Sequence, residues 1–166
     1  GIRALCESSG LHDRPVTSTD LGFKLGPRIN AAGRMTHARG GVELLTTNDA
    51  LAARDLAQRL NQENQSRRDT EKTVLDEALK DAEEHVNQGS KALVLYRPHW
   101  HLGVVGIVAA RVREAFHRPT FILGRHPEDG CIKGSGRSIP GFDLVAALNG
   151  AQNVLQQYGG HAHAAG

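Results

Sequence analysis

From Asp49 to Gln88 the chain runs 40 residues without a proline or a glycine, and no other stretch limits its fold as much. Asn48 or Asp49 offers the short polar side chain that caps a helix start, and Gly89 is the residue type that ends one. Apolar residues recur at Ala53, Leu56, Ala57 and Leu60. They return at Val74, Leu75, Ala78, Leu79, Ala82 and Val86, at the spacing of one helix face. Between these blocks the face turns polar at Asn61, Asn64, Gln65, Arg67 and Arg68. A stripe broken in the middle is not a coiled coil. It describes a long connector helix, residues 43–89, joining two domains with its waist crossing a cleft. Asn64 and Arg68 are four apart and share a face. They either reach into that cleft or form a merely solvated waist.

The flanks differ in character. Residues 1–42 are rich in turn formers (Ser8-Ser9-Gly10, Pro15, Gly26-Pro27, Gly33, Gly40-Gly41) and read as the closing part of a domain. Residues 90–166 alternate. Lys91–Tyr96 and Pro119–Leu123 are apolar strands, and the segment around Cys131-Ile132-Lys133 is a third. Gly103–His117 and Phe142–Tyr158 carry helical spacing. Strands alternating with helices predict an α/β domain with a mixed sheet. The chain opens on Gly1-Ile2-Arg3-Ala4-Leu5-Cys6, like the middle of an apolar helix, and stops on a Gly-rich motif. The expectation is a fragment of a longer protein.

With 39% hydrophobic residues, no signal peptide and no run near the roughly 18 apolar residues of a membrane span, the chain reads as soluble, with no membrane partner. Cys6 and Cys131 stand outside any metal-ligand spacing, so the expected setting is the reduced cytoplasm. The net charge of +2 says little about partners, but 15 of the 20 basic residues are Arg. Arg matches phosphate oxygens two at a time; a GC-rich genome gives the same bias. Seven of the 18 acids fall between Asp69 and Glu84, so the remainder is more basic than the total.

Four stretches could carry chemistry. In Gly159-Gly160-His161-Ala162-His163-Ala164-Ala165-Gly166, the glycines would leave backbone N–H groups uncovered beside an imidazole, as a phosphate grip requires. In Gly26–Arg34, small residues would let a ligand backbone approach Arg28, Asn30 and Arg34, unless the arginines pair within the fold. The stretch Lys133-Gly134-Ser135-Gly136-Arg137-Ser138 offers free backbone N–H groups with Ser135, Arg137 and Ser138, the donors a terminal phosphate needs. It is not a Walker A loop, and an ordinary Gly-rich turn is the alternative. At His99-Trp100-His101, the indole either stacks on a base or anchors a core, and His101 stands near a helix N-terminus. The His99/His101 and His161/His163 pairs lack acidic neighbours, and Asp143 is the only acid after Asp129. A hard-cation site needs several carboxylates, so no metal ligand is assigned in this chain.

Taken in order, Gly-Pro-Arg-Ile-Asn-Ala-Ala-Gly-Arg, Trp-His-x-Gly-x-x-Gly, Lys-Gly-Ser-x-Arg-Ser and Gly-Gly-His-x-x-Ala-Ala-Gly resemble the RecJ family of single-stranded-DNA exonucleases in the DHH phosphoesterase superfamily. The resemblance implies that residues 1–42 end a metal-binding DHH domain, that residues 43–89 connect, and that residues 90–166 begin the DHH-associated (DHHA1) domain. It implies Mn²⁺- or Mg²⁺-dependent 5′-to-3′ release of nucleotides in DNA repair and recombination, by attack of a metal-activated water. Gly160 and His161 match the element facing the metal centre and the scissile phosphate. Arg137 and Ser138, with Ser135, match the pocket for the 5′ phosphate, and Arg28, Asn30 and Arg34 line the other wall. The implied partner is single-stranded DNA, with a single-strand-binding protein or helicase for the full-length, monomeric enzyme. The Asp-His-His signature is absent here, so the fragment alone is expected to be inactive and its metal ligands to lie in the missing N-terminal part.

Three rivals remain. A DHH phosphodiesterase for short oligonucleotides or cyclic dinucleotides would share the Gly-Gly-His tail, but not the Gly26–Arg34 stretch and long connector. A non-catalytic nucleic-acid-binding module, similar to the C-terminal domain of alanyl-tRNA synthetases, would lack the first 42 residues. A small-molecule α/β enzyme has no nucleophile–base pair or dinucleotide fingerprint behind it.

Overall fold

The computed structural model describes residues 1–12 and 14–166. They divide into two compact units, Gly1–Asp69 and Thr70–Gly166. The division falls inside one helix, α5 (Ala50–Asn87). The Asp49 cap is as the sequence predicts, its carboxylate accepting the Leu51 and Ala52 N–H groups at 2.8 and 3.2 Å, but residues 43–46 of the expected connector lie in the preceding helix, Arg39–Thr46. The connector has no body of its own, since its two apolar patches belong to two different cores.

In the first unit, Ala53, Ala57 and Leu60 of α5 pack with Leu5, Leu11, Leu25, Ala32 and Leu44. Of the turn formers of this region, Ser9, Gly10 and Pro15 lie between helices, whereas Gly26, Pro27, Gly33, Gly40 and Gly41 stand inside them. After α1 (Ile2–Ser8), the segments α2 (Ser18–Asp20), a π-helical turn (Leu21–Leu25) and α3 (Gly26–Met35) follow without a break, and then comes α4 (Arg39–Thr46). Thr17 and Asp20 form a reciprocal capping box at the start. The wide turn accommodates Pro27, which lacks an N–H and crowds the carbonyl four residues back in a regular helix. The small residues serve packing: a Cβ on Gly41 would stand 3.2 Å from Ile29 Cγ2, and Ala31 and Ala32 are buried.

In the second unit a five-stranded mixed sheet has the order β1-β2-β3-β5-β4. It comprises β1 (Leu93–Tyr96), β2 (Thr120–Arg125), β3 (Ile132–Arg137), β4 (Gly160–His161) and β5 (Ala164–Ala165). Only β1 and β2 pair in parallel, joined through α6 (Leu102–Phe116); the other ladders are antiparallel. Val104, Val105, Val108, Ala109 and Val112 of α6 close a core with Leu93, Leu95, Ile122 and the α5 residues Val74, Ala78 and Ala82. The second predicted helix is shorter than expected. From its Asp143 cap, α7 runs only Leu144–Gly150, followed by a 3-10 turn (Gln152–Val154). Asn149-Gly150 is a poor helix continuation, and the Tyr158 hydroxyl bonds Asn149 at 2.9 Å. Among the described residues no helix is long and apolar enough to cross a membrane.

At the end of α6, the His117 N–H still bonds the Arg113 carbonyl, and His117 itself adopts the left-handed conformation, with φ 50°, which turns the chain out of the helix. A Cβ makes that conformation costly and glycine relieves it. His117→Gly is therefore expected to raise the unfolding free energy by about 1 kcal/mol, read from urea unfolding. A loss of stability would mean that the His117 side chain holds the turn.

Candidate nucleic-acid interface

Strand β3 organises the second unit's polar residues. Side chains alternate along a strand. Ser135 and Arg137, opposite Ile122 and Thr120 in the register, therefore face the α6 side. Gly134 and Gly136 face the other way, where a Cβ would collide with Leu123 and the Phe121 ring. The Gly-Ser-Gly-Arg stretch is thus strand, not loop. At Gly136 and Arg137 its backbone is paired to β2 on one side and to β5 on the other. This corrects the expectation of open backbone donors: the glycines admit neighbouring side chains, and the donors are side-chain ones. Arg137 Nη1 donates to the Ser135 hydroxyl and to the Gly136 carbonyl, both at 2.8 Å. Its Nη2 lies against α6 at Gly106.

Ser138 is placed differently. It is 8% exposed, and its hydroxyl lies 2.5 Å from the Phe142 carbonyl and 3.2 Å from that of Ile139. Its N–H donates to the His163 carbonyl at 3.0 Å. Both of its donors are thus taken up within the loop and hairpin.

The Gly-rich tail is a hairpin, with Ala162 and His163 between β4 and β5. The N–H of Gly159 meets the Gly166 carbonyl, and the N–H of Gly166 meets the Gly159 carbonyl, each at 2.9 Å. Of the expected uncovered N–H groups, that of Gly159 is consumed by this pairing. What emerges is register. Arg137 pairs with Ala164, and Ala164 with His161. Directly opposed residues point to one face, so the guanidinium and the imidazole flank the small Ala164 methyl on three adjacent strands. His161 Nδ1 accepts the His163 N–H at 3.3 Å, which leaves the hydrogen on Nε2 as a donor. His161 and His163 meet edge to face at 6.1 Å.

Trp100 takes the core alternative. It is 1% exposed and donates its indole N–H to Glu77 Oε2 at 2.7 Å, so no ring face is open to a base. His99 Nε2 reaches the same oxygen at 2.8 Å. The Trp100 N–H first, and His99 second, hold the Glu77 carboxyl below the usual carboxylate range. Beside them Arg97 grips Asp81 with two bonds, at 2.8 and 2.9 Å. No spacing signal announces Glu77, because its partners lie more than 20 residues away in sequence. His101 caps α6, with Nδ1 accepting the Gly103 N–H at 3.0 Å.

In the first unit, Arg28 Nε donates to Asn61 Oδ1 at 2.9 Å and Nη1 to the Lys24 carbonyl at 2.7 Å. Partial burial, then the Arg68 charge, hold the Arg28 guanidinium below its ordinary range. Two cations share this patch, a setting that favours an anion. Asn30 and Arg34 are exposed and one turn apart on α3, while Arg68 is exposed on α5. Asn64, by contrast, is 2% exposed, with Oδ1 buried and unpartnered among the described residues; it does not line an open surface. Nor do the described residues bring three or more His, Cys, Asp or Glu side chains together as a metal site. The guanidinium and amide groups gathered here suit an anion rather than a divalent ion, which calls for several carboxylates.

Residues 89–166, which carry the mixed sheet, the Ser-x-Arg strand and the Gly-Gly-His hairpin, match the DHHA1 domain family. The whole chain aligns at 46% identity with the single-stranded-DNA-specific exonuclease RecJ of Dickeya dadantii, of which it spans 30%. Two solved structures of RecJ from Thermus thermophilus superpose on 99% of it. The Mn²⁺ complex does so with a TM-score of 0.84, 37% identity and 23% of that chain covered. The Mg²⁺ complex does so with 0.82, 36% and 24%. Over its whole length the chain is thus similar to a part of RecJ that makes up 30% of the D. dadantii protein.

Proposed function

We propose that this chain is the nucleic-acid-binding part of a 5′-to-3′ single-stranded-DNA exonuclease of DNA repair and recombination. The observation that carries the reading is the row Arg137, Ala164, His161 across β3, β5 and β4. Arg137, steadied by Ser135, receives the 5′ phosphate. His161 Nε2–H stands two strands away to neutralise charge on the scissile phosphate. Arg28 and Arg68, with Asn30 and Arg34, form a second patch for backbone phosphates. The Mn²⁺ and Mg²⁺ in the T. thermophilus structures support a divalent ion for the full-length enzyme, held by ligands outside residues 1–166. On its own the chain binds single strands without hydrolysing them. The full-length enzyme works in the cytoplasm as a monomer, with a single-strand-binding protein or helicase supplying its substrate.

Arg137→Ala in the full-length protein is expected to cut the preference for a 5′-phosphorylated strand over a 5′-hydroxyl strand by about 10- to 100-fold, since hydrogen bonds to a charged group contribute ~1.5–3 kcal/mol. Fluorescence anisotropy across a salt series, with metal chelated, separates this from general polyanion attraction. An unchanged preference would remove the end-recognition role and leave the binding-module reading.

A further inference from the structure

The half-buried Gly106 lies inside the 15-residue helix α6, where alanine is the better helix former. Its backbone does not call for glycine, because it lies outside the left-handed region that side chains avoid. Space does. A Cβ at this position would stand 3.1 Å from Arg137 Nη2, 3.2 Å from Ser135 Oγ and 3.6 Å from Ser135 Cβ. The three nearest atoms all belong to the two residues assigned to the terminal phosphate. Both polar contacts are closer than a methyl group tolerates without displacing its neighbour. The β3 ladder fixes the Ser135 backbone, so what must yield is the end of the Arg137 side chain together with the Ser135 hydroxyl that it bonds. Arg137 Nη2 therefore stands against bare helix backbone at Gly106, while Nη1 is 2.8 Å from the Ser135 hydroxyl.

We propose that Gly106 is a positioning residue for end recognition: the missing side chain sets where the Arg137 fork stands, and so how well it matches phosphate oxygens. The inference rests on the reading of Arg137 above. A fork shifted by a few tenths of an ångström keeps its charge but loses its two-point fit. Gly106→Ala should therefore separate folding from recognition, because alanine favours the helix while crowding the guanidinium.

The test uses full-length protein carrying Gly106→Ala, Arg137→Ala or both. The readouts are thermal unfolding and kcat/KM on 5′-phosphorylated and 5′-hydroxyl strands. Gly106→Ala is expected to unfold at the wild-type temperature or above. Its ratio of kcat/KM for phosphorylated over hydroxyl ends should fall about 10-fold, through KM, with the 5′-hydroxyl rate unchanged. Added to Arg137→Ala, it should lower the ratio no further, since the atom it displaces is gone. If Arg137→Ala leaves the ratio unchanged, the phosphate reading itself fails. If Arg137→Ala lowers it and Gly106→Ala does not, or if Gly106→Ala still lowers it in the Arg137→Ala background, only the positioning role is overturned. Unfolding of Gly106→Ala below the wild-type temperature also overturns it, by making Gly106 a packing residue.

Discussion

Trp100→Ala is expected to destabilise the second unit by about 3–5 kcal/mol, the range for emptying a large buried aromatic site. The indole is the largest of the fully buried side chains and packs among Val104, Val108 and Ile122. Its removal leaves a cavity and takes from Glu77 the N–H that bonds it at 2.7 Å. Trp100→Phe separates the two losses. The ring keeps most of the volume, only the hydrogen bond goes, and the expected cost is about 1–3 kcal/mol. The Glu77 carboxyl should then titrate closer to the ordinary carboxylate range, because the Trp100 N–H is the main cause of its depression. Trp100 is the only tryptophan, so unfolding of both variants is followed by far-ultraviolet circular dichroism. If Trp100→Ala kept wild-type stability and lost DNA affinity, the stacking role would return.

Gly160→Ala is the second large effect. Gly160 has φ 144°, and a Cβ there would collide with the Ala164 carbonyl oxygen, with Ala165 Cα at 2.6 Å and Ala165 Cβ at 2.9 Å behind it. Most of these atoms are backbone of the paired strand, so no side-chain rotation relieves the clash. The hairpin must open at this rung, at a cost of about 1–3 kcal/mol for the backbone strain alone. His161 is the next residue and would lose its place opposite Ala164. Misplacement by about 1 Å can cost on the order of 100-fold in rate, and that is the loss expected for kcat of the full-length enzyme. His161→Ala removes the imidazole and leaves the hairpin intact. Similar kcat losses in the two variants would mean that Gly160 acts by placing His161. A Gly160→Ala enzyme with wild-type kcat would detach the hairpin from catalysis.

What was legible in the amino-acid sequence was whatever depends on local periodicity and capping. The span of α5 follows from a run without Gly or Pro and from the Asp49 cap. The order β1, α6, β2 follows from alternating apolar runs, and Asp143 caps α7 as its position suggests. Glycine misleads, because its meaning depends on what stands opposite. Gly134 and Gly136 look like a phosphate loop until the register sets them against Leu123 and Phe121. Gly33, Gly40 and Gly41 look like turns until the helices around them pack. Ser138 and Trp100 carry the right chemistry for a ligand, but the fold turns their donors inward, to the Phe142 carbonyl and to Glu77. Arg137 and His161 were singled out, but their alignment through Ala164 exists only once β3, β5 and β4 are ordered.

The shared helix has a consequence for what counts as a module. Residues 89–166 are what recurs as a domain in evolution, yet the core of that domain includes Val74, Ala78 and Ala82, which precede it in the chain. The inherited unit and the folding unit are different lengths of polypeptide. Any rearrangement that moved the domain without the stretch from Val74 to Gly89 would carry the chemistry and leave behind one wall of its own interior.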